Sequence, residues 1–199
     1  LHYNLALSYY QKGRLLDAED QILKAIEMNP GHADLHLMLG YIQNEMGNRV
    51  RCILALHYFL FLEPHSERSL GAYNLMRDHF DGNLSAKENF GQMEDEHSEI
   101  FDQANEALQS IQLASHSNPD ANFKEETKLF FNQLYELKPS LHNSIWWDFY
   151  TPFFNEVANS PYFHVYSKYI SQTASGSAKL WLQSNPDELK RFDDWLMGD

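Results

Sequence analysis

Ten histidines in 199 residues invite a search for metal or acid–base chemistry. His32, Asp34 and His36 bring three donors close together, but Pro30 and Gly31 just before them place the group at a turn rather than on one helix face. Glu94-Asp95-Glu96-His97 carries the Glu-x-x-His spacing of half a di-iron carboxylate centre; such a centre needs a second copy and two more glutamates, and no second copy occurs. His2, His57, His65, His79, His116, His142 and His164 fall at no ligand spacing. Ser175-Gly176-Ser177-Ala178-Lys179 sets serines near a lysine, which small residues before a helix explain. Neither a phosphate-cradling glycine loop nor a Gly-x-Ser-x-Gly elbow is present. Asp148, between Trp147 and Phe149, is a carboxylate whose pKa burial would raise, yet no partner for it can be named. The residues therefore predict no catalytic group, metal ligand or cofactor site, and the reading is of a protein that is not an enzyme.

Composition narrows the classes further. The net charge is −13, opposite to what phosphate backbones attract, so a nucleic-acid partner is not expected. No apolar run approaches the roughly 18 residues of a membrane-spanning helix. A single cysteine, Cys52, excludes an internal disulfide framework. With no signal-peptide pattern visible, the expected location is the cytoplasm; Asn83-Leu84-Ser85 then reads as a chance sequon. Between Asp81 and Glu126 stand eleven acids and two lysines, so −9 of the −13 lies there. That is either a solvated helix face with loops or a docking surface for a basic partner.

The elements that would position any site begin with an internal period. Leu5, Ala6, Gly13, Ala18, Ile22, Ala25 and Pro30 recur, 34 residues on, as Leu39, Gly40, Gly47, Cys52, Leu56, Phe59 and Pro64. Leu5, Ala6 and Tyr9 fit a first helix that Gly13 ends. Ala18, Ile22 and Ala25 fit a second helix, with small residues for close approach and Pro30 as the stop. One such hairpin cannot bury its apolar face alone, so the units must stack.

This pattern resembles the tetratricopeptide repeat over residues 1–64. Two departures stand out: Gln43 where an aromatic is usual, and Phe59 where a small residue is usual. "SERSLGAYNLMRDHF" is expected to add a third first-type or capping helix. The resemblance implies an all-α superhelix whose first helices line a groove for a peptide or an amphipathic helix. Mapped onto this chain, the groove positions are Tyr3, Leu7, Tyr10 and Gln11; Asp34, Leu37, Tyr41, Asn44 and Glu45; and Arg68, Leu75, Asp78 and His79. Co-chaperone members clamp a C-terminal carboxylate with Lys and Asn; only Arg68 and Asn44 resemble that set, so chaperone-tail binding is not expected. A tyrosine-rich apolar groove suits an amphipathic helix. The alternative is that the chain's own second half covers it.

That second half divides into an acidic loop and amphipathic helix (81–122) and an aromatic-rich helical region (123–199). Ile100, Ala104, Ala107, Leu108 and Ile111 recur at helical spacing, as do Phe123, Thr127, Phe130, Leu134 and Leu137. "SHSNPDAN" reads as the turn between these helices. Seventeen of the 28 aromatic residues lie beyond position 122, six of them in "IWWDFYTPFF" (145–154). A helix apolar around most of its circumference is a buried one. Each buried aromatic removes about 150–250 Å² from water, about 4–6 kcal/mol gross. Pro152 is expected to bend or divide that helix near Thr151. Asn185-Pro186-Asp187-Glu188 reads as a helix start with Asn185 as N-cap.

Three functional readings follow. The first is a non-catalytic scaffold that binds a partner protein through the repeat groove. A ligand-binding or enzymatic C-terminal domain tethered by the repeats is the second, and the terminal cap of a longer repeat array the third. Oligomeric state is not indicated.

Overall fold

The 34-residue period becomes two helical hairpins, α1 (His2–Gln11) with α2 (Leu15–Met28) and α3 (Ala33–Met46) with α4 (Arg49–Leu62). In the computed structural model the described residues are 1–83, 98–115, 123–140 and 143–198; they are helical, with no strand among them. Gly13 and Gly47 turn the chain at equivalent points with φ of 71° and 77°, a conformation in which a Cβ is strained. There the amides of Arg14 and Asn48 close onto the carbonyls of Tyr9 and Gln43 at 3.0 and 2.9 Å. Gly40 has a different reason: a Cβ there would meet Leu56 Cγ at 2.7 Å. The missing side chain lets α3 and α4 approach closely, and the Cys52 Sγ–H donates to the Gly40 carbonyl at 3.3 Å.

The predicted third helix is α5 (Glu67–Asp81). Its start is fixed by Ser66, whose Oγ accepts from the Arg68 amide while its own amide donates to Ser69 Oγ. At its far end Arg49 donates to the carbonyls of His79 and Phe80.

Equivalent positions of α2 and α4 diverge sharply on their outer faces. Glu19, Asp20, Leu23, Lys24 and Glu27 of α2 correspond to Ile53, Leu54, His57, Tyr58 and Phe61 of α4. The first set is half-buried or exposed; in the second, all but the half-buried Phe61 are buried. A solvated helix face has become a docking face, and the second half of the chain sits on it. Helices α6 (Ser98–Ser115) and α9 (Phe163–Ser171) and the turn Trp146–Tyr150 all pack against α4. Around them stand α7 (Phe123–Glu136), α8 (Thr151–Asn159), α10 (Gly176–Ser184) and α11 (Pro186–Met197). One apolar cluster runs from Ala6 to Phe192 through both halves.

The aromatic stretch is core. Trp147, Tyr150 and Phe154 are fully buried, Trp146 nearly so, and Phe149 and Phe153 half-buried. Trp146–Tyr150 is a π-helical turn, in which the Thr151 amide reaches back to the Trp146 carbonyl. Pro152 explains the position of this turn. It has no N–H for the carbonyl four residues back, and its ring would strike that carbonyl in a regular helix. The wider turn ends there and α8 begins at Thr151, where the sequence predicts a division.

Of the predicted apolar faces, Ala104, Leu108 and Ile111 of α6 and Thr127, Phe130 and Leu134 of α7 are buried, with Phe101 and Phe131 joining them; Ile100, Ala107 and Phe123 are half-buried, as is Leu137 just past the end of α7. Of the α6 acids, Glu99, Asp102 and Glu106 are exposed, as a solvated face requires. The predicted loop beyond Asn83, Glu94–His97, the turn at 116–122 and His142 lie outside the described residues. Asn185 stands at the N-cap of α11 with Pro186 after it, as the sequence predicts, but its side chain makes no cap hydrogen bond. Its Nδ2 donates to the Trp181 carbonyl at 2.8 Å and closes α10 instead. Glu188 pairs with Arg191 at 2.6 Å rather than folding back onto the N-cap amide.

Candidate groove on the first helices

Tyr3, Leu7 and Tyr10 lie along α1 and Tyr41 along α3, all half-buried against the core. The two helices pack directly. Burial and the neighbouring Glu45 carboxylate and Tyr41 together raise the pKa of the Tyr10 phenol above its ordinary value. The row therefore combines apolar area, phenol hydroxyls and a carboxylate, a surface that can hold an amphipathic helix with basic flanks.

Other predicted groove residues have different roles. Leu37 is 6% exposed and belongs to the core, so it supports the wall and offers little surface to a ligand. Asn44 accepts from His79 Nε2 at 3.0 Å and donates to Glu45 at 3.2 Å, joining α3 to α5. Arg68 is held by both carboxylate oxygens of Glu63, to which its Nε donates at 3.0 Å and its Nη2 at 2.6 Å, and its Nη1 donates to Asp34 at 2.6 Å. These two carboxylates raise its already high pKa, and its guanidinium lies over the Phe59 ring, 5.6 Å from the centroid. Arg68 is thus a bridge between α3 and α5 rather than an unengaged clamp. Leu75 is half-buried on α5.

The two departures from the repeat pattern have local explanations. Gln43, fully buried, donates to Glu19 of α2 at 2.7 Å and accepts from Asn48 at 2.8 Å, stitching the hairpins together. Phe59 is fully buried beneath Arg68.

The second half reaches the hairpins through rings on α4 and at the start of α3. Tyr58 meets His36, Phe61, Phe149, Tyr150, Phe153 and Phe154 with centroids 4.5–6.3 Å apart. His36 Nε2 lies 2.7 Å from the Pro30 carbonyl, which can only accept, so Nε2 carries the proton and Nδ1 accepts from the Tyr150 hydroxyl at 2.6 Å. His57 Nδ1 lies 3.0 Å from the Tyr166 hydroxyl, while its Nε2 is buried without a partner among the described residues. Burial lowers His36 to about 4, against the Pro30 hydrogen bond that favours the proton. Burial and the Arg77 charge lower His57 to about 3. Both rings are neutral elements of an interface. The docking role of His36, His57 and Tyr58 is absent from the sequence expectations, although the apolar and aromatic replacements at the 34-residue offset from α2 signal it.

Among the described residues no chemistry-bearing cluster emerges elsewhere. Among the described residues no three His, Cys, Asp or Glu side chains converge as metal ligands. His32 faces Asp34 at 3.9 Å on the surface while His36 points inward. Asp148 is exposed and accepts from the Ser144 amide at 3.0 Å. Burial raises the Cys52 thiol pKa above the range of a reactive thiolate. Among the described residues no helix is long and apolar enough to cross a membrane. Comparison with family models, with curated proteins and with solved structures finds no match for this chain.

Proposed function

We propose that residues 1–64 are two tetratricopeptide-type repeats and that the protein is a non-catalytic scaffold of the cytoplasm. Its partner is an amphipathic helix or peptide of another protein, laid along Tyr3, Leu7, Tyr10 and Tyr41. One observation carries this reading: those side chains remain half-exposed on α1 and α3 while the second half of the chain docks on α4. Half-exposed tyrosines give contact area at low entropic cost, and the −13 charge favours a partner with basic flanks. Tyr41 and Leu7 are the ligand-facing centre; Leu37 supports them from beneath, and Arg68 and Asn44 hold α5 against α3.

The test is selection of helix-forming peptides from a displayed library against the whole chain, then rebinding to variants. Selected peptides are expected to lose about tenfold or more in affinity, the equivalent of about 1.4 kcal/mol, on the double change Leu7→Glu and Tyr41→Glu. They should be unaffected by Lys24→Glu on the outer face of α2. Peptides that bind both variants equally well, with circular dichroism unchanged, would sink the groove.

A further inference from the structure

The 34-residue equivalence also bears on the other face of the first hairpin. Leu5 on α1 is 38% exposed and Leu16 on α2 is 40% exposed, whereas their equivalents Leu39 and Val50 are 0% and 1% exposed. Tyr9 is half-buried under Arg14, 4.5 Å from the ring centroid to the guanidinium, where its equivalent Gln43 is fully buried. The second hairpin stacks on α2, and along that contact α3 is sealed. The first hairpin has the same backbone plan and the same apolar positions, with no cover on them among the described residues. The established contact between α2 and α3 thus continues, one unit earlier, as an apolar face along α1.

We propose that this face docks a further helical hairpin of the same 34-residue plan, whose second helix lies along α1 as α2 lies along α3. Its chemistry follows from what α2 presents to α3: a helix with Ala18, Ile22, Ala25 and Ile26 on its buried face. One position must differ. Glu19 of α2 meets Gln43 at 2.7 Å and Arg51 at 3.9 Å, whereas the equivalents of those two residues on the first hairpin are Tyr9 and Asp17. The neighbouring cation, Arg14, already pairs with Asp17 at 2.8 Å and covers Tyr9; a carboxylate there would compete with Asp17 for it, so the incoming helix carries a basic or amide side chain where α2 has Glu19. The surroundings accept such a helix. Residues 1–28 hold three basic side chains (Lys12, Arg14, Lys24) and four acidic ones (Asp17, Glu19, Asp20, Glu27), a net −1 of the chain's −13. A neighbour on this hairpin therefore meets little of the chain's negative charge. The inference rests on the internal repeat and not on the groove reading.

The experiment adds the proposed neighbour. A second copy of residues 1–34, carrying Glu19→Arg in the added copy, is joined ahead of Leu1 of the full chain. Thermal unfolding should rise by on the order of 5 °C, and amide exchange in α1 should slow about tenfold or more as its outer face is sealed. Leu5→Lys with Leu16→Lys, placed in the original hairpin, should abolish both gains while leaving the unextended chain folded. An added copy that leaves melting and α1 exchange unchanged overturns the proposal, as does a gain that survives the lysine pair. Sedimentation of the unextended protein provides a third outcome: a dimer lost on Leu5→Lys means the face pairs two copies of this chain, and that also overturns it.

Discussion

The two hairpins share a backbone and differ in what lies against them. In each, a left-handed glycine ends the first helix, and in each a small residue, Ala6 or Gly40, is fully buried where the first helix meets the second. Yet the first hairpin keeps water on the outer face of α2, and the second is covered on nearly every side of α4. The difference is written in side chains at the same register: Asp20 against Leu54, Lys24 against Tyr58, Leu23 against His57. The repeat pattern therefore sets hairpin geometry, while the residues outside the pattern decide which hairpin becomes a platform for the rest of the chain.

Exchanging equivalent residues tests that conclusion. The largest effect is expected at Tyr58. Truncation to Ala should remove its contacts with His36 and with the Phe149, Tyr150, Phe153 and Phe154 rings of the second half, and cost about 3–5 kcal/mol in chemical denaturation. Lys24→Ala, at the equivalent position on α2, removes only an exposed ion pair with Asp20 and should stay within about 0.5 kcal/mol. Equal costs at the two sites would break the distinction between platform and solvated face.

A second effect concerns acid. His36 and His57 bind protons less readily in the folded chain, at about 4 and about 3, than at the ordinary value of 6.5. Their contribution is fully present above pH 6.5 and declines as pH falls towards the folded values, because the unfolded chain then holds more protons. From pH 7 to pH 5 each ring accounts for a loss of about 2 kcal/mol. Replacing His57 by Leu, the residue of the first hairpin, together with Tyr166→Phe so that no buried hydroxyl is stranded, should make this acid dependence shallower by about that amount. Denaturant melts at the two pH values measure it, and an unchanged slope would show that the fold does not lower the His57 pKa.

The smallest effect is local to the helix crossing. Gly40→Ala should cost about 1 kcal/mol, since about 1–3 kcal/mol of overpacking against Leu56 is partly offset by the better helix propensity of alanine. Adding Leu56→Ile transplants the Ala6–Ile22 pair of the first hairpin and should recover most of the loss. If the double variant is no better than the single, the two crossings differ in more than their side chains.

Periodicity made several elements readable without coordinates. Gly13, Gly47 and the prolines marked the hairpin ends, because backbone conformation at such residues is intrinsic to them. The apolar spacing of α6 and α7 gave their buried faces, and six aromatic rings beside Pro152 announced a divided core helix. Local rules misled where a side chain had two possible partners. Asn185 holds the N-cap position of α11, yet its side chain donates to the Trp181 carbonyl and makes no cap hydrogen bond. Leu37 fell at a groove position of the repeat yet is buried, since which arc of a helix stays open depends on its neighbours. Arg68 and Asn44 fall at ligand-contact positions of the repeat but are held within the fold by Asp34, Glu63 and His79.

Residue order alone dictated the helical class, the 34-residue unit and the burial of the "IWWDFYTPFF" stretch, each a consequence of local backbone preference and of apolar area too large to leave in water. Tertiary structure decided which face that stretch meets. The aromatic helix lies on α4 and beside His36, leaving Tyr3, Leu7 and Tyr10 on α1 half-exposed, and those positions lie up to about 150 residues away from their alternative neighbours in the sequence. Packing over such separations depends on the fit of whole surfaces, and no spacing rule along the chain encodes it.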